Sequence, residues 1–154
     1  ESYARNFRPG AIKIEKSSYE PPPAYLIPSL VDDLCDYVND QWQNKTSTHL
    51  SAYVLWRMNW IHPFTDGNGR TARAVSYLIL CAHAKIFMPG RNSIPDQIID
   101  QRSRYYAALE DADEKFLKKE TETVIVEKLE DMLKDMLATQ ITSSYSLATG
   151  DGEN

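Results

Sequence analysis

Between Leu50 and Ile61 the apolar residues cover every side that a helix would have. Leu50, Tyr53, Val54, Leu55, Trp56, Met58, Trp60 and Ile61 fall around almost the full circumference. A helix apolar all round lies at the centre of its domain. Its end is fixed as well, because His62 precedes Pro63 and a proline keeps the residue before it from continuing a helix. The next residues read His62-Pro63-Phe64-Thr65-Asp66-Gly67-Asn68-Gly69-Arg70-Thr71-Ala72-Arg73, and a second largely apolar run, Ala74 to Ala84, follows them. A base, a carboxylate, a glycine turn and two arginines are thus held between two segments expected to be buried.

The remaining elements are arranged around this pair. Ile12 and Ile14 alternate with Ala11 and Lys13, with Pro9-Gly10 before them and Ser17-Ser18 after. That pattern suggests a small hairpin or a lone edge strand, with an ordered surface loop as the alternative. Pro21, Pro22 and Pro23 then impose an extended segment. A first helix is expected over about 29–43, with Leu30, Leu34, Tyr37, Val38 and Trp42 on one stripe. The second spans 47–62 and the third 68–85, the latter burying Ala72, Val75, Leu78, Ile79 and Ala82. Met88, Pro89 and Gly90 read as a turn. Ser93, Pro95 and Asp96 start a fourth helix that ends near Asp113, with Pro95 suited to its first turn. The last is expected over about 121–142, with Ile125, Leu129, Met132, Leu133, Met136 and Leu137 inward and Glu130–Lys134 as a favourable i, i+4 pair. Residues 143–154, rich in Ser, Gly and acid, read as a disordered tail. The expected organisation is one domain over 1–142.

Of the 154 residues 42% are hydrophobic, enough for one core without a disulfide scaffold. The net charge of -5 argues against a nucleic-acid surface, so the arginines of the central turn run against the trend of the chain. Cys35 and Cys81 stand alone, without CxxC spacing, which indicates neither a zinc site nor a disulfide framework. Reduced thiols in a cytoplasmic setting (or a host cytosol, if delivered there) are expected. No run approaches the ~18 apolar residues of a membrane span. The chain begins at Glu1 rather than Met and is read as a piece of a longer protein.

Gly67, Asn68 and Gly69 allow successive backbone N–H groups to converge on one point, and a helix starting there adds its free N–H groups and positive dipole end. Arg70 and Arg73, at i and i+3, share a face of the first turn and suit more than one phosphate. A carboxylate beside such a site, Asp66, can hold Mg²⁺ bridging phosphate oxygens, or can serve as a helix N-cap. His62 can take a proton near neutral pH. Each of these residues has a purely structural use. Their concentration within residues 62–73 favours a phosphate-handling site instead. The stretch is neither a Walker loop, for want of GxxxxGK[ST], nor a zincin, for want of HExxH. His49 and His83 have no partners at ligand spacing and are read as structural.

These residues resemble the signature of the Fic family, HxFx(D/E)GNGRxxR, at every fixed position: His62, Phe64, Asp66, Gly67, Asn68, Gly69, Arg70 and Arg73. The resemblance extends to Arg8–Pro23, similar to the family's flap hairpin, and to Gln101–Asp113, similar to a later helix on the nucleotide side. It covers about residues 8–140. The resemblance implies an all-α, Fic-type helical bundle with a small β-hairpin flap near the N-terminus. It also implies transfer of AMP from ATP to a protein hydroxyl, with pyrophosphate leaving. By position, His62 would deprotonate the target Ser, Thr or Tyr and Asp66 would hold Mg²⁺. The Gly67 to Gly69 backbone and Asn68 would bind phosphates, with Arg70 and Arg73 on the outer ones. Tyr106, with Tyr105 and Asp113, would lie on the adenosine side. The flap at Ile12 to Ile14 would hold the target segment by strand addition.

Family members are often restrained by a glutamate in an inhibitory helix, marked [S/T]xxxE[G/N], which pairs with the second arginine. Only Thr149 to Asn154 fits that pattern, and its two glycines make a poor helix. An inhibitory helix is therefore expected in cis outside this stretch, or in trans. Some relatives transfer UMP or phosphocholine or remove AMP. The kinase-type Doc relatives carry a lysine in the second half of the glycine turn, where this chain has Gly69. A silent helical interaction module is the rival reading from another class.

Overall fold

A computed structural model describes residues 6–14, 19–87 and 92–149. Among these the regular elements are all helical: a 3₁₀ turn, Ala24–Leu26, then α1 (Ile27–Gln41), α2 (Ser47–Ile61), α3 (Asn68–Ala84), α4 (Ile94–Asp100), α5 (Arg102–Leu117), α6 (Glu122–Ile125) and α7 (Glu127–Thr149). The all-α expectation holds. The flap hairpin is not shown: residues 11–14 run past the bundle without strand pairing, and Glu15 to Ser18, where a hairpin would turn, lie outside the described residues. The expected turn at Met88 to Gly90 lies outside them too.

α2 is the central element. Residues 48 through 58 are all buried, and the helix packs against α1, α3, α5 and α7. Its N-terminus is capped by Thr46, whose side chain accepts from the His49 N–H at 3.1 Å. α3 returns antiparallel beside it, and the close approach rests on small residues. The Ser51 and Ser76 hydroxyls lie 2.8 Å apart, and each donates to the other residue's carbonyl at 2.9 Å. This contact alters the expected register of α3. Ala72, Ser76 and Leu80 are its buried stripe, with Val75 and Ile79 half-buried, whereas Leu78 and Ala82 face outward. Serine at the helix contact was invisible to an apolar count.

Three boundaries differ for local reasons. α1 begins at Ile27 rather than Ser29, with Pro28 inside its first turn, where a missing N–H does no harm. The single expected helix after Ser93 is two helices, because Gln101 (φ −105°, ψ 40°) breaks it before α5. The last helix is broken at Val126 and then continues through Thr149, so 143–149 are helical rather than tail. Its inward stripe is as expected, with Ile125, Leu129, Met132, Leu133 and Met136 buried.

His49 and His83 are structural. His49 is buried, with Nε2 2.8 Å from the Tyr37 hydroxyl and Nδ1 3.5 Å from Glu130 on α7. Glu130 also accepts from Thr46 and Thr48 and pairs with Lys134. His83 Nε2 contacts the Trp42 carbonyl at 2.8 Å. No helix among the described residues is long and apolar enough to cross a membrane.

Candidate active site

The end of α2 and the start of α3 meet in one short loop, and a cleft of about 740 Å³ opens over it. Its floor is His62 with residues 65–70, one wall is the extended segment Ile12 to Ile14, and the other carries α4 and α5 residues including Tyr105 and Tyr106. Of the residues singled out from the sequence as site residues, all but Asp113 line one cleft: His62, Asp66, Gly67, Asn68, Gly69, Arg70, Arg73, Tyr105, Tyr106 and Ile14.

His62 caps α2 in the left-handed conformation (φ 51°, ψ 58°), its N–H still donating to the Met58 carbonyl at 3.1 Å. Such backbone is uncommon for a residue with a side chain. The turn brings the imidazole back beside its own helix, where Nδ1 is 3.3 Å from the Asn59 carbonyl. A carbonyl can only accept, so Nδ1 is the protonated nitrogen and Nε2 carries the lone pair. Burial lowers the pKa of His62; the hydrogen bond to Asn59 opposes this and the Arg8 cation adds to it. The ring is thus neutral, and able to accept a proton, around pH 7.

The loop is closed from within. Asn68, the first residue of α3, is buried, and its side-chain amide holds Phe64 at both polar groups. The Asn68 side chain therefore shapes the loop, and its backbone N–H is what it offers an anion. Phe64 packs against the core. Gly67 is the N-cap of α3, at φ 82°, a conformation suited to glycine. No side chain caps this helix, unlike α2 and α4, which Thr46 and Ser93 cap. The first-turn N–H groups and the positive end of the dipole thus have no side-chain acceptor, at residues that line the cleft.

Arg70 lies over this terminus: a Cβ placed on Gly67 would sit 3.5 Å from Arg70 Nη2, and one on Gly69 would sit 3.4 Å from Arg73 Nη1. Arg70 also pairs with Asp66 at 2.9 Å, and both side chains are exposed. Asp66 is therefore not the cap of α3. It is the one carboxylate among the described cleft residues, against the cations Lys13, Arg70, Arg73 and Arg102. Among the described residues no cluster of three or more His, Cys, Asp or Glu could hold a metal ion by itself. A lone exposed carboxylate suits Mg²⁺, which binds through one or two carboxylates together with substrate phosphates and waters.

On the opposite wall Tyr105 is buried, and its oxygen accepts from Asn59 Nδ2 at 2.8 Å. Burial pushes the Tyr105 hydroxyl well above the usual phenol range. Asn59 thus touches both His62, through its carbonyl, and Tyr105, through its amide. Tyr106 is half exposed, with its ring centroid 5.5 Å from that of Tyr105. Asp113 does not join them. It accepts from the Trp56 indole N–H at 2.8 Å in the interior, and burial raises its pKa. Sequence reasoning missed Arg8, Arg102 and Ile98. Arg102 sits one turn ahead of the tyrosines on α5 and could have been found from helical spacing, whereas Ile98 lies on α4, across the break at Gln101. Arg8 is buried beneath the cleft, and nothing in its local sequence marks it.

Residues 1–80 match the model of the Fic/DOC family. The chain is 28% identical over 126 residues to a probable protein adenylyltransferase of Aquifex aeolicus, a match covering 81% of this chain and 34% of that one. It is 33% identical over 90 residues to the protein adenylyltransferase fic-1 of Caenorhabditis briggsae, covering 56% and 16%. The chain therefore spans only a minor part of these relatives' length. Among solved structures, a Fic family protein from Desulfovibrio desulfuricans superposes with a TM-score of 0.65 at 25% identity, over 97% of this chain and 42% of that one. A Fic domain-containing signaling protein from Bacteroides thetaiotaomicron gives 0.72 at 20% identity, over 94% and 55%, a likeness of fold alone. With every fixed polar and glycine position of the HxFx(D/E)GNGRxxR motif on one cleft, its Phe64 against the core, and the family match spanning residues 1–80, this chain belongs to the Fic/DOC family.

Proposed function

We propose that this domain is a protein adenylyltransferase, moving AMP from ATP to a hydroxyl side chain of a target protein. The observation that carries the reading is the juxtaposition of a neutral imidazole with an uncapped helix N-terminus and two arginines on one cleft. The hydroxyl oxygen attacks the α-phosphorus, a new P–O bond forms, and the bond to the bridging oxygen of the β-phosphate breaks. The hydroxyl proton passes to His62 Nε2, and pyrophosphate leaves. Such chemistry depends chiefly on positioning and on neutralising charge. The N–H groups of Asn68 and Gly69 with Arg70 and Arg73 supply that neutralisation, and Tyr105 and Tyr106 form the wall on the nucleobase side. Asp66 would hold Mg²⁺, which when bound neutralises the phosphate oxygens. The Asp66–Arg70 pair must then open, which releases Arg70 to the phosphates.

The segment Arg8 to Pro23, as a flap hairpin, would take the target's extended chain beside Ile12 and Ile14. Arg73 makes no ion pair among the described residues, so a glutamate from an inhibitory helix in cis or trans would find it available. A cytoplasmic setting, in the producing cell or a host, is part of the same reading.

Incubation with Mg²⁺ and ATP labelled at the α- or γ-phosphate, scored by labelled protein, tests the proposal. Label is expected from the α position only, and to vanish in His62→Ala with nucleotide affinity retained. Label from the γ position would mean a kinase. Equal loss of nucleotide affinity in His62→Ala would make the histidine structural. CTP, GTP and UTP in parallel test nucleotide choice.

A further inference from the structure

The final carbonyls of α2 have no partners within the helix, as at any helix C-terminus. Here His62 serves Met58 and Asn59, and the last two are served by residues that flank the segment walling the cleft. Tyr19 donates its hydroxyl to the Trp60 carbonyl at 2.7 Å. Arg8 serves Ile61 and the two residues after the helix: its backbone N–H donates to Pro63 O at 2.8 Å, Nε to His62 O at 2.8 Å, and Nη2 to Ile61 O at 3.5 Å. The same guanidinium also donates to Gly10 O through Nη1 and to Pro22 O through Nη2. One buried side chain thus joins both ends of the segment carrying Ile12 and Ile14 to the backbone of His62. Arg8 does not itself line the cleft, and among the described residues it pairs with no carboxylate. Its charge is matched by carbonyl oxygens, whose partial negative charge at a helix C-terminus favours a cation.

We infer that Arg8 is a positioning residue, which acts through His62. By fixing the His62 carbonyl it holds the left-handed turn that puts Nδ1 on Asn59 and leaves Nε2 for the incoming hydroxyl. By holding Gly10 and Pro22 it sets the target-bearing segment against that same nitrogen. Base and target are thereby registered through one guanidinium. A lysine has the charge but not the planar fork, and cannot serve His62 and Gly10 together in this geometry. The inference rests on the adenylyltransferase reading for its catalytic consequence, but its structural half does not.

The test compares the parent, Arg8→Lys and Tyr19→Phe. Transfer of α-labelled AMP gives kcat and KM for ATP, and ¹⁵N NMR of the His62 ring reports its tautomer. In Arg8→Lys, kcat falls about tenfold or more. KM for ATP stays within about threefold. The His62 ring loses its single Nδ1–H tautomer. In Tyr19→Phe, which leaves Arg8 in place, the tautomer is kept. A parental kcat in Arg8→Lys, or a lowered kcat with an unchanged tautomer, overturns the inference. Should Arg8→Lys not fold, hydrogen exchange of Arg8 Nε–H in the parent decides. Slow exchange is expected, and exchange as fast as that of a solvated arginine refutes the proposal. If the parent transfers no AMP, the adenylyltransferase reading fails, and the tautomer and exchange measurements still judge Arg8.

Discussion

The Asn68 side chain occupies both main-chain polar groups of Phe64, accepting the N–H on Oδ1 and donating Nδ2–H to the carbonyl, each at 2.8 Å. A loop of four residues is thereby closed by a residue that already belongs to the next helix. Asn68→Ala leaves two backbone groups to find water in a partly buried loop, which costs about 1–3 kcal/mol. Melting should fall by roughly 3–10 °C. Nucleotide affinity should fall as well, although only the backbone of Asn68 need meet the phosphates. Thermal unfolding and titration calorimetry check this. Unchanged melting with lost affinity would instead make the amide a direct ligand.

Gly67 and Gly69 separate folding from binding. Gly67 has φ 82°, so Gly67→Ala forces a side chain into the left-handed region at a cost of about 1–2 kcal/mol. Gly69 lies in the first turn of α3 with negative φ, where alanine is the better helix former by about 1 kcal/mol. Gly67→Ala should therefore lower the melting temperature and Gly69→Ala hold or raise it. Both add a methyl beside an arginine of the cleft, at 3.5 and 3.4 Å, and both should weaken ATP binding. A destabilised Gly69→Ala would contradict this account.

These two glycines also show which parts of the site the sequence could reveal. Spacing alone placed His62, Asp66, the glycines and the arginines in one turn, because a helix stop at Pro63 and a start at Gly67 leave no room for anything else. α2 was legible for the same reason: a helix apolar all round can only be central. The face of α3 was legible only in part: Ala72, Val75 and Ile79 pack inward, but Leu78 and Ala82 do not, because Ser76, paired with Ser51, helps set the helix face. The break at Gln101 was not legible, since no glycine or proline marks it. Arg8 was hidden because its partners are carbonyls of residues about 50 positions away, and every residue type offers a carbonyl.

Arg57 is a buried cation whose Nε and Nη1 have no hydrogen-bond partner among the described atoms. Its guanidinium lies 4.2 Å from the Trp60 ring centre and 5.1 Å from that of Phe116. Cation–π attraction is worth about 0.5–2 kcal/mol, which is small against the penalty for withdrawing a guanidinium from water. Burial lowers its pKa accordingly. Arg57→Met keeps most of the packing volume and removes the charge, so stability in urea should be equal or higher. A loss above about 2 kcal/mol would show that the aromatic faces more than offset desolvation at this site.

Acid should destabilise the fold in two stages. Burial lowers the pKa of His49 and of His62, so the unfolded chain binds more protons than the folded one once the pH drops below about 6.5. Stability from these two groups is complete above 6.5 and is lost as the pH falls through that value toward their folded pKa values. Glu130 adds the second stage. Its carboxyl is half-buried, but its bonds to Lys134, Thr48 and Thr46 outweigh the desolvation and bring its pKa below the usual glutamate range. Its contribution is present above about 4.5 and is lost below. Asp113, raised by burial, runs the other way and softens the loss at low pH. Urea unfolding between pH 8 and 4 should give a plateau above 6.5, a decline as the pH falls below that, and a steeper one below 4.5. His49→Gln keeps a polar partner for Tyr37 and cannot titrate, so part of the upper decline should disappear in it. A plateau that persists to pH 5 in the parent would mean that neither imidazole is held neutral by the fold.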